Sequence, residues 1–191
     1  MKNDKVRRIV TLGLLAAVAV VLVALVHFPI IPGVTFLEYD AGDIAIFLGA
    51  FLFGPVPGLM LTTVASLIQG LTVSAQSGWI GIVMHILATG SYVIMAGFIY
   101  KKWHTRKGAV AALAVGTVCM TAVMCVCNLI FTPLFLGRQL QDVVAMLVPV
   151  IIPFNLAKAG INSLVTFLVY KPLSRLVFKE RPHGAECAKR A

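Results

Sequence analysis

The chain has 191 residues, 60% of them hydrophobic and 12% charged, with a formal net charge of +9. An ordinary soluble domain is about a quarter charged, so this composition excludes a soluble globular protein and leaves an integral membrane protein with spans of about 20 residues each. The basic excess is topological and excludes a nucleic-acid patch: four of the 16 Lys and Arg precede the first apolar run, four lie within 101–107 and six follow the last run, leaving only Arg138 and Lys158 elsewhere.

Apolar runs and their breakers predict an all-α membrane protein with six spans near 8–27, 42–54, 57–76, 79–100, 108–133 and 147–178. The first run follows a basic start, as a secretory leader does, but it lacks a small-x-small cleavage site before a soluble domain and more spans follow. It is expected to be a helix of the mature protein. Next comes FPIIPGVTFLEYDA, Phe28 to Ala41. This stretch is too apolar for a freely solvated loop and too rich in Pro and Gly for a helix, and is expected to fold back over the bundle. The second span has about 13 residues and reaches roughly 20 Å, less than a hydrocarbon core of about 30 Å. It must end inside the membrane or lean on neighbouring helices. GPVPG, Gly54 to Gly58, forms a tight turn into the third span, since its prolines and glycines cannot continue a helix comfortably.

In the fourth span His85 has no acid or second histidine at helical spacing and is expected to be a satisfied interior residue. His27 and His104 flank spans, and Trp79 and Trp103 mark span ends as membrane-interface aromatics do. Cys119, Cys125, Cys127 and Cys187 follow no metal or redox spacing and read as ordinary packing residues. With six spans and both termini cytoplasmic, nearly all basic residues lie inside, while Glu38, Asp40, Asp43 and Asp142 lie outside. Residues 1–180 then form a single six-helix membrane domain, and 181–191 a basic cytoplasmic tail expected to be disordered.

Polar groups converge in the outer half of the membrane. The fifth span enters from the inside, so Asn128 lies near its outer end; the sixth enters from outside, so Asn155 and Lys158 lie one to three turns in. Asn155, Lys158 and Asn162 follow i, i+3, i+7 and share one helical stripe. A lysine in hydrocarbon costs about 2.5 to 3.5 kcal/mol on insertion scales, so Lys158 is expected to face a cavity or a polar partner. The acids of the first outer loop are candidates to complete that cavity. Snorkelling of Lys158, or a structural ion pair with Asp40 or Asp43, is the alternative. The chain carries no HExxH, GxSxG, Cys–His pair or phosphate-binding loop. Any uphill transport must therefore draw on an ion gradient or on another subunit.

Four stretches, FPIIPGVTFLEYDAGDI (28–44), GPVPG (54–58), GWIGIVMHILATGS (78–91) and PFNLAKAGINSLVTFLVYKPLS (153–174), resemble the riboflavin-specific S components of energy-coupling factor transporters over nearly the whole chain. The resemblance implies a multi-pass, non-enzymatic subunit of the bacterial cell membrane. It would capture riboflavin, with FMN as a further candidate ligand, and work with a transmembrane coupling subunit and two cytoplasmic ATPases. It implies no cofactor and no metal, the flavin being transported ligand, buried near the extracellular side under the first loop.

Position by position, the resemblance implies ligand contacts from Asn128, Asn155 and Lys158, and from Phe36, Leu37, Glu38, Tyr39 and Asp40 of the first loop. Asn side chains match both donors and acceptors on a flavin edge, whereas Lys158 only donates; Phe36 and Tyr39 are expected to cover the ring. It further implies docking on the coupling subunit through small residues four apart, here Gly13 and Ala17 with Ala16 and Ala19 beside them. Packing within the bundle is the other reading of those residues. Two alternatives stay open at this point. An S component for another vitamin, such as thiamine, biotin or a queuosine precursor, shares everything except ligand. A stand-alone ion-coupled carrier would use Lys158 with Asp40 or Asp43 as a coupling pair.

Overall fold

A computed structural model describes residues 2–34 and 36–178; the basic tail expected at 181–191 lies outside the described residues. Helix α1 (Lys2–Leu25) leads into two short antiparallel strands, β1 (His27–Pro29) and β2 (Glu38–Asp40). After them come α2 (Gly42–Phe53), α3 (Pro55–Leu71), a 3-10 turn (Ala75–Ser77), α4 (Gly78–Lys102), α5 (Arg106–Leu136), α6 (Leu140–Met146) and, across a π-helical turn (Leu147–Ile151), α7 (Ile152–Phe178). Among the described residues, four stretches are long and apolar enough to cross a membrane: Lys5–Leu25, Ala75–Lys102, Arg106–Leu136 and Leu140–Arg175. Gly42–Phe53 and Pro55–Leu71 are apolar but shorter.

The short second helix is the centre of the bundle. Residues Gly42 to Phe51 of α2 are all buried, because α1, α3, α4 and α7 all pack against it. This explains its all-round apolar sequence: a helix with no solvent or lipid face needs no polar stripe. Phe47 stacks on Tyr92 of α4 with ring centroids 3.6 Å apart, and the Tyr92 hydroxyl meets Ser163 Oγ of α7 at 2.6 Å. The turn after α2 is one residue long. Gly54 has φ +94°, a left-handed conformation that a side chain would strain, and Pro55 then occupies the first helical position, where its missing N–H costs nothing. Gly58 lets α3 approach closely, since a Cβ there would stand 2.7 Å from the Ala50 Cβ.

In α1 the residues Leu15, Ala16, Ala19 and Val23 are buried, a spacing close to i, i+4, i+8 that turns one stripe toward the bundle. Gly13 and Ala17 lie on the exposed side. Two sequence expectations need correction here. The stretch between the first two helices contains a strand pair in register His27 with Asp40, Phe28 with Tyr39 and Pro29 with Glu38. Three-residue strands are too short for alternation to betray them in sequence. The last helical segment also starts earlier than residue 147, at Leu140, where Asp142 sits in the first turn and suits the positive end of the helix dipole. Cys119, Cys125 and Cys127 are free thiols.

Candidate ligand-binding site

A cavity lies beneath the strand pair, walled by α3, α4, α5 and α7. Its lining includes Asn128 of α5 and Asn155 and Lys158 of α7, so the polar groups expected from span depth do meet. Asn128 donates from Nδ2 to the Met124 carbonyl at 2.8 Å and accepts from the Thr132 hydroxyl at 2.8 Å. Asn155 donates from Nδ2 to the Ile151 carbonyl at 2.8 Å. A carbonyl can only accept, so this bond fixes which end of the amide is nitrogen. The opposite end, Oδ1, is buried without a hydrogen-bond partner among the described residues. A buried acceptor left unmatched costs roughly 1 to 3 kcal/mol, and this one belongs to a cavity wall.

Lys158 answers both readings offered by its sequence. Its Nζ donates to Asp40 Oδ2 at 2.6 Å, so the ion pair is present, and the side chain also lines the cavity. Asn162, one turn further along α7, does not line it. Asn162 Nδ2 donates to the Asp40 carbonyl at 3.1 Å, while the Tyr39 hydroxyl donates to Asn162 Oδ1 at 2.8 Å. The stripe on α7 therefore divides its work: Asn155 and Lys158 face the cavity, and Lys158 with Asn162 grips β2.

Of the first-loop residues, Phe36, Leu37, Glu38 and Asp40 line the cavity. Tyr39 does not, which corrects its expected place over a bound ring. Successive strand side chains point to opposite faces, so when Glu38 and Asp40 face inward, Tyr39 turns away. Its ring contacts Phe28 at 5.3 Å between centroids and packs with Ala41, Ile44 and Leu48. Burial of this phenol, reinforced by the Asp40 carboxylate, raises its pKa. Ala16 likewise is buried in the main core rather than displayed beside Gly13 and Ala17.

The cavity has a second polar wall that the sequence reading missed. It includes His27, Ser66, Gln69, Ser74, Ser77 and His85. Thr62, Ser66 and Gln69 follow i, i+4, i+7 in a mainly apolar helix, a stripe that was legible. His85 was not, because its acid comes from another helix. Its Nε2 stands 3.1 Å from Asp43 Oδ1, and the Thr89 hydroxyl donates to that same oxygen at 2.9 Å. The Ser66 hydroxyl donates to the Thr62 carbonyl at 2.6 Å, so at the 2.7 Å contact between Ser66 Oγ and His85 Nδ1 the ring must donate. With Nδ1 donating to Ser66, Nε2 is the ring atom that faces the Asp43 carboxylate.

Asp40, Asp43 and His85 bring possible metal-ligating atoms within 4.8 Å of one another. The Lys158 ammonium already holds Asp40 Oδ2, and His85 Nε2 and the Thr89 hydroxyl both meet Asp43 Oδ1. Nearer the mouth, His27 Nε2 and Glu38 Oε2 are 2.8 Å apart in a more exposed pair.

Residues 7–170 match the family model described as the substrate-specific component of ECF transporters. Among characterised proteins, the chain is 30% identical over 177 residues to the riboflavin transporter RibU of Staphylococcus aureus (strain TCH60), covering 90% of this chain and 92% of that protein. It is 26% identical over 186 residues to the riboflavin transporter FmnP of Bacillus subtilis (strain 168), covering 93% and 97% respectively. A solved structure of the S component of a bacterial ECF transporter superposes with a TM-score of 0.77 at 30% identity, covering 93% of this chain and 99% of that one.

Proposed function

Because the chain belongs to the family of substrate-specific components of ECF transporters, we propose that it is the riboflavin-capturing subunit of such a transporter, embedded in the bacterial cell membrane and energised by a separate module. The observation that carries this reading is Asn155, a buried amide whose Oδ1 has no partner among the described residues and which shares a cavity with Asn128 and Lys158. The pyrimidine edge of a flavin offers an N–H donor between two carbonyl acceptors. Asn155 Oδ1 suits the donor, and Asn128 and Lys158 offer N–H groups to acceptors. Phe36, Leu37 and the aliphatic wall cover the apolar rings, while Ser66, Gln69, Ser74 and Ser77 suit the ribityl hydroxyls.

In this reading the bundle has six membrane segments, with α6 and α7 counted as one, both termini are cytoplasmic, and residues 1–180 form one domain. The strand pair closes the outer mouth. Gly13 and Ala17, exposed on α1, present a small-residue face where a coupling subunit with two ATPases can approach closely. Riboflavin is cargo rather than cofactor, and FMN is a second candidate for the same cavity.

The test is the visible spectrum of protein purified in detergent without added vitamin. Wild type should retain flavin absorbance, and Asn155→Ala should weaken binding roughly 5- to 150-fold, corresponding to a lost buried partner of about 1 to 3 kcal/mol. Unchanged affinity in both Asn155→Ala and Asn128→Ala would remove this site. The Lys158–Asp40 pair on the cavity wall gives the ion-coupled alternative its one foothold. Uptake that persists after the cell's ATPase partners are depleted, but stops when ion gradients collapse, would favour that alternative.

A further inference from the structure

Opposite the ligand cavity, the basic end of the bundle encloses a hollow of about 470 Å³ between the end of α4, the start of α5 and α7. Its polar rim carries Arg106 and Lys171, both exposed. Among the described residues neither has a carboxylate within ion-pair distance; Glu38, Asp40 and Asp43 pair elsewhere. The floor is aromatic. The Tyr100 hydroxyl donates to the Tyr170 hydroxyl at 3.0 Å, which leaves the Tyr170 O–H hydrogen free for an acceptor inside the hollow. The remaining wall includes Phe167 and Leu168 of α7, 36% and 65% exposed on the face turned away from the bundle. In a membrane-embedded protein that face meets hydrocarbon.

Two cations without an ion partner among the described residues, a spare hydroxyl donor and a strip of lipid-facing apolar surface thus border one space. We infer that this hollow binds the phosphate head group of an anionic phospholipid, whose acyl chains lie along Phe167 and Leu168. A soluble anion would satisfy the cations but leave the apolar wall unused. A zwitterionic lipid would bring its own cation against Arg106 and Lys171. Basic pockets between membrane helices are suited to anionic head groups because each Lys or Arg adds to the attraction while the chains remain in the bilayer. Arg106 can meet a phosphate through two parallel N–H groups, and Lys171 acts as a point charge.

The experiment titrates the full chain in detergent with dioleoylphosphatidylglycerol, using dioleoylphosphatidylcholine as control, and reads the unfolding midpoint together with lipid adducts by native mass spectrometry. Wild type should retain and be stabilised by the anionic lipid more than by the zwitterionic one. Arg106→Ala with Lys171→Ala should weaken that affinity roughly tenfold or more. Lys102→Ala, which removes an exposed cation outside the hollow, should leave it unchanged. Tyr170→Phe, which keeps the ring and removes only the hydroxyl, should weaken it by a smaller factor and serves if the double variant does not yield monodisperse protein.

Equal retention of the two lipids would overturn the inference. So would an equal loss in Lys102→Ala, which would mean diffuse attraction to a polybasic end. Variants that keep lipid affinity but lose vitamin uptake in cells would assign the hollow to a protein partner instead.

Discussion

The Lys158–Asp40 pair joins α7 to a strand of the loop that covers the cavity, whereas the His85–Asp43 pair joins two helices of the bundle interior. Asp43 has no exposed side-chain surface, and Thr89 adds a second donor to its carboxylate. Lys158 and Asp40 keep 11% and 5% side-chain exposure on the cavity side. Both place an acid and a base beside the same cavity, but one fastens a cover and the other fastens the scaffold. Distance from the cavity therefore does not decide what a buried charge does. What matters is whether its partner stands on a packed helix or on a covering strand.

Substitutions can separate the two roles, starting with the largest effect. Asp43→Ala should cost about 1–3 kcal/mol for each of the two groups it leaves without a partner, His85 Nε2 and the Thr89 hydroxyl; thermal unfolding in detergent reads this. A melting temperature equal to wild type would erase the distinction between scaffold and cover.

Lys158→Ala should weaken flavin binding roughly 5- to 150-fold while lowering stability less than Asp43→Ala does. Fluorescence titration and melting, measured on the same preparation, check both halves of that statement. Tyr39→Phe should cost about 1–3 kcal/mol of stability by leaving the buried Asn162 Oδ1 without its donor. It should alter flavin affinity less than Lys158→Ala, since the ring lies on the far side of β2. If affinity falls as far as in Lys158→Ala, the strand faces have been read the wrong way round.

Glu38→Gln should have the smallest effect, about 0–1 kcal/mol in stability, because its pair with His27 is partly exposed and screened. A much larger loss in flavin affinity would make the Glu38 carboxylate itself a ligand contact.

Residue types and their order along the chain determined much of this protein. Apolar runs and their flanking basic residues fixed its membrane character. The short second segment had to end inside the membrane or lean on neighbouring helices, and the spacing of Asn155 and Lys158 put them on one stripe. Those signals are local or periodic, and one chain displays them without folding. The stripe could not say that Asn162 departs from the cavity to hold Asp40. Nor could FLEYD show that Tyr39 faces away between two inward acids, because a three-residue strand carries too little pattern.

The second polar wall lay still further from view. His85 and Asp43 stand 42 positions apart, and no helical spacing links them; they meet only because α4 packs against α2 with both side chains turned inward. Likewise, basic residues at span ends announced a charged end of the bundle, but the packing of α5 against α7 placed Arg106 and Lys171 around one hollow floored by Tyr100 and Tyr170. Periodicity fixes which face of an element a residue occupies, and packing between elements decides what that face meets.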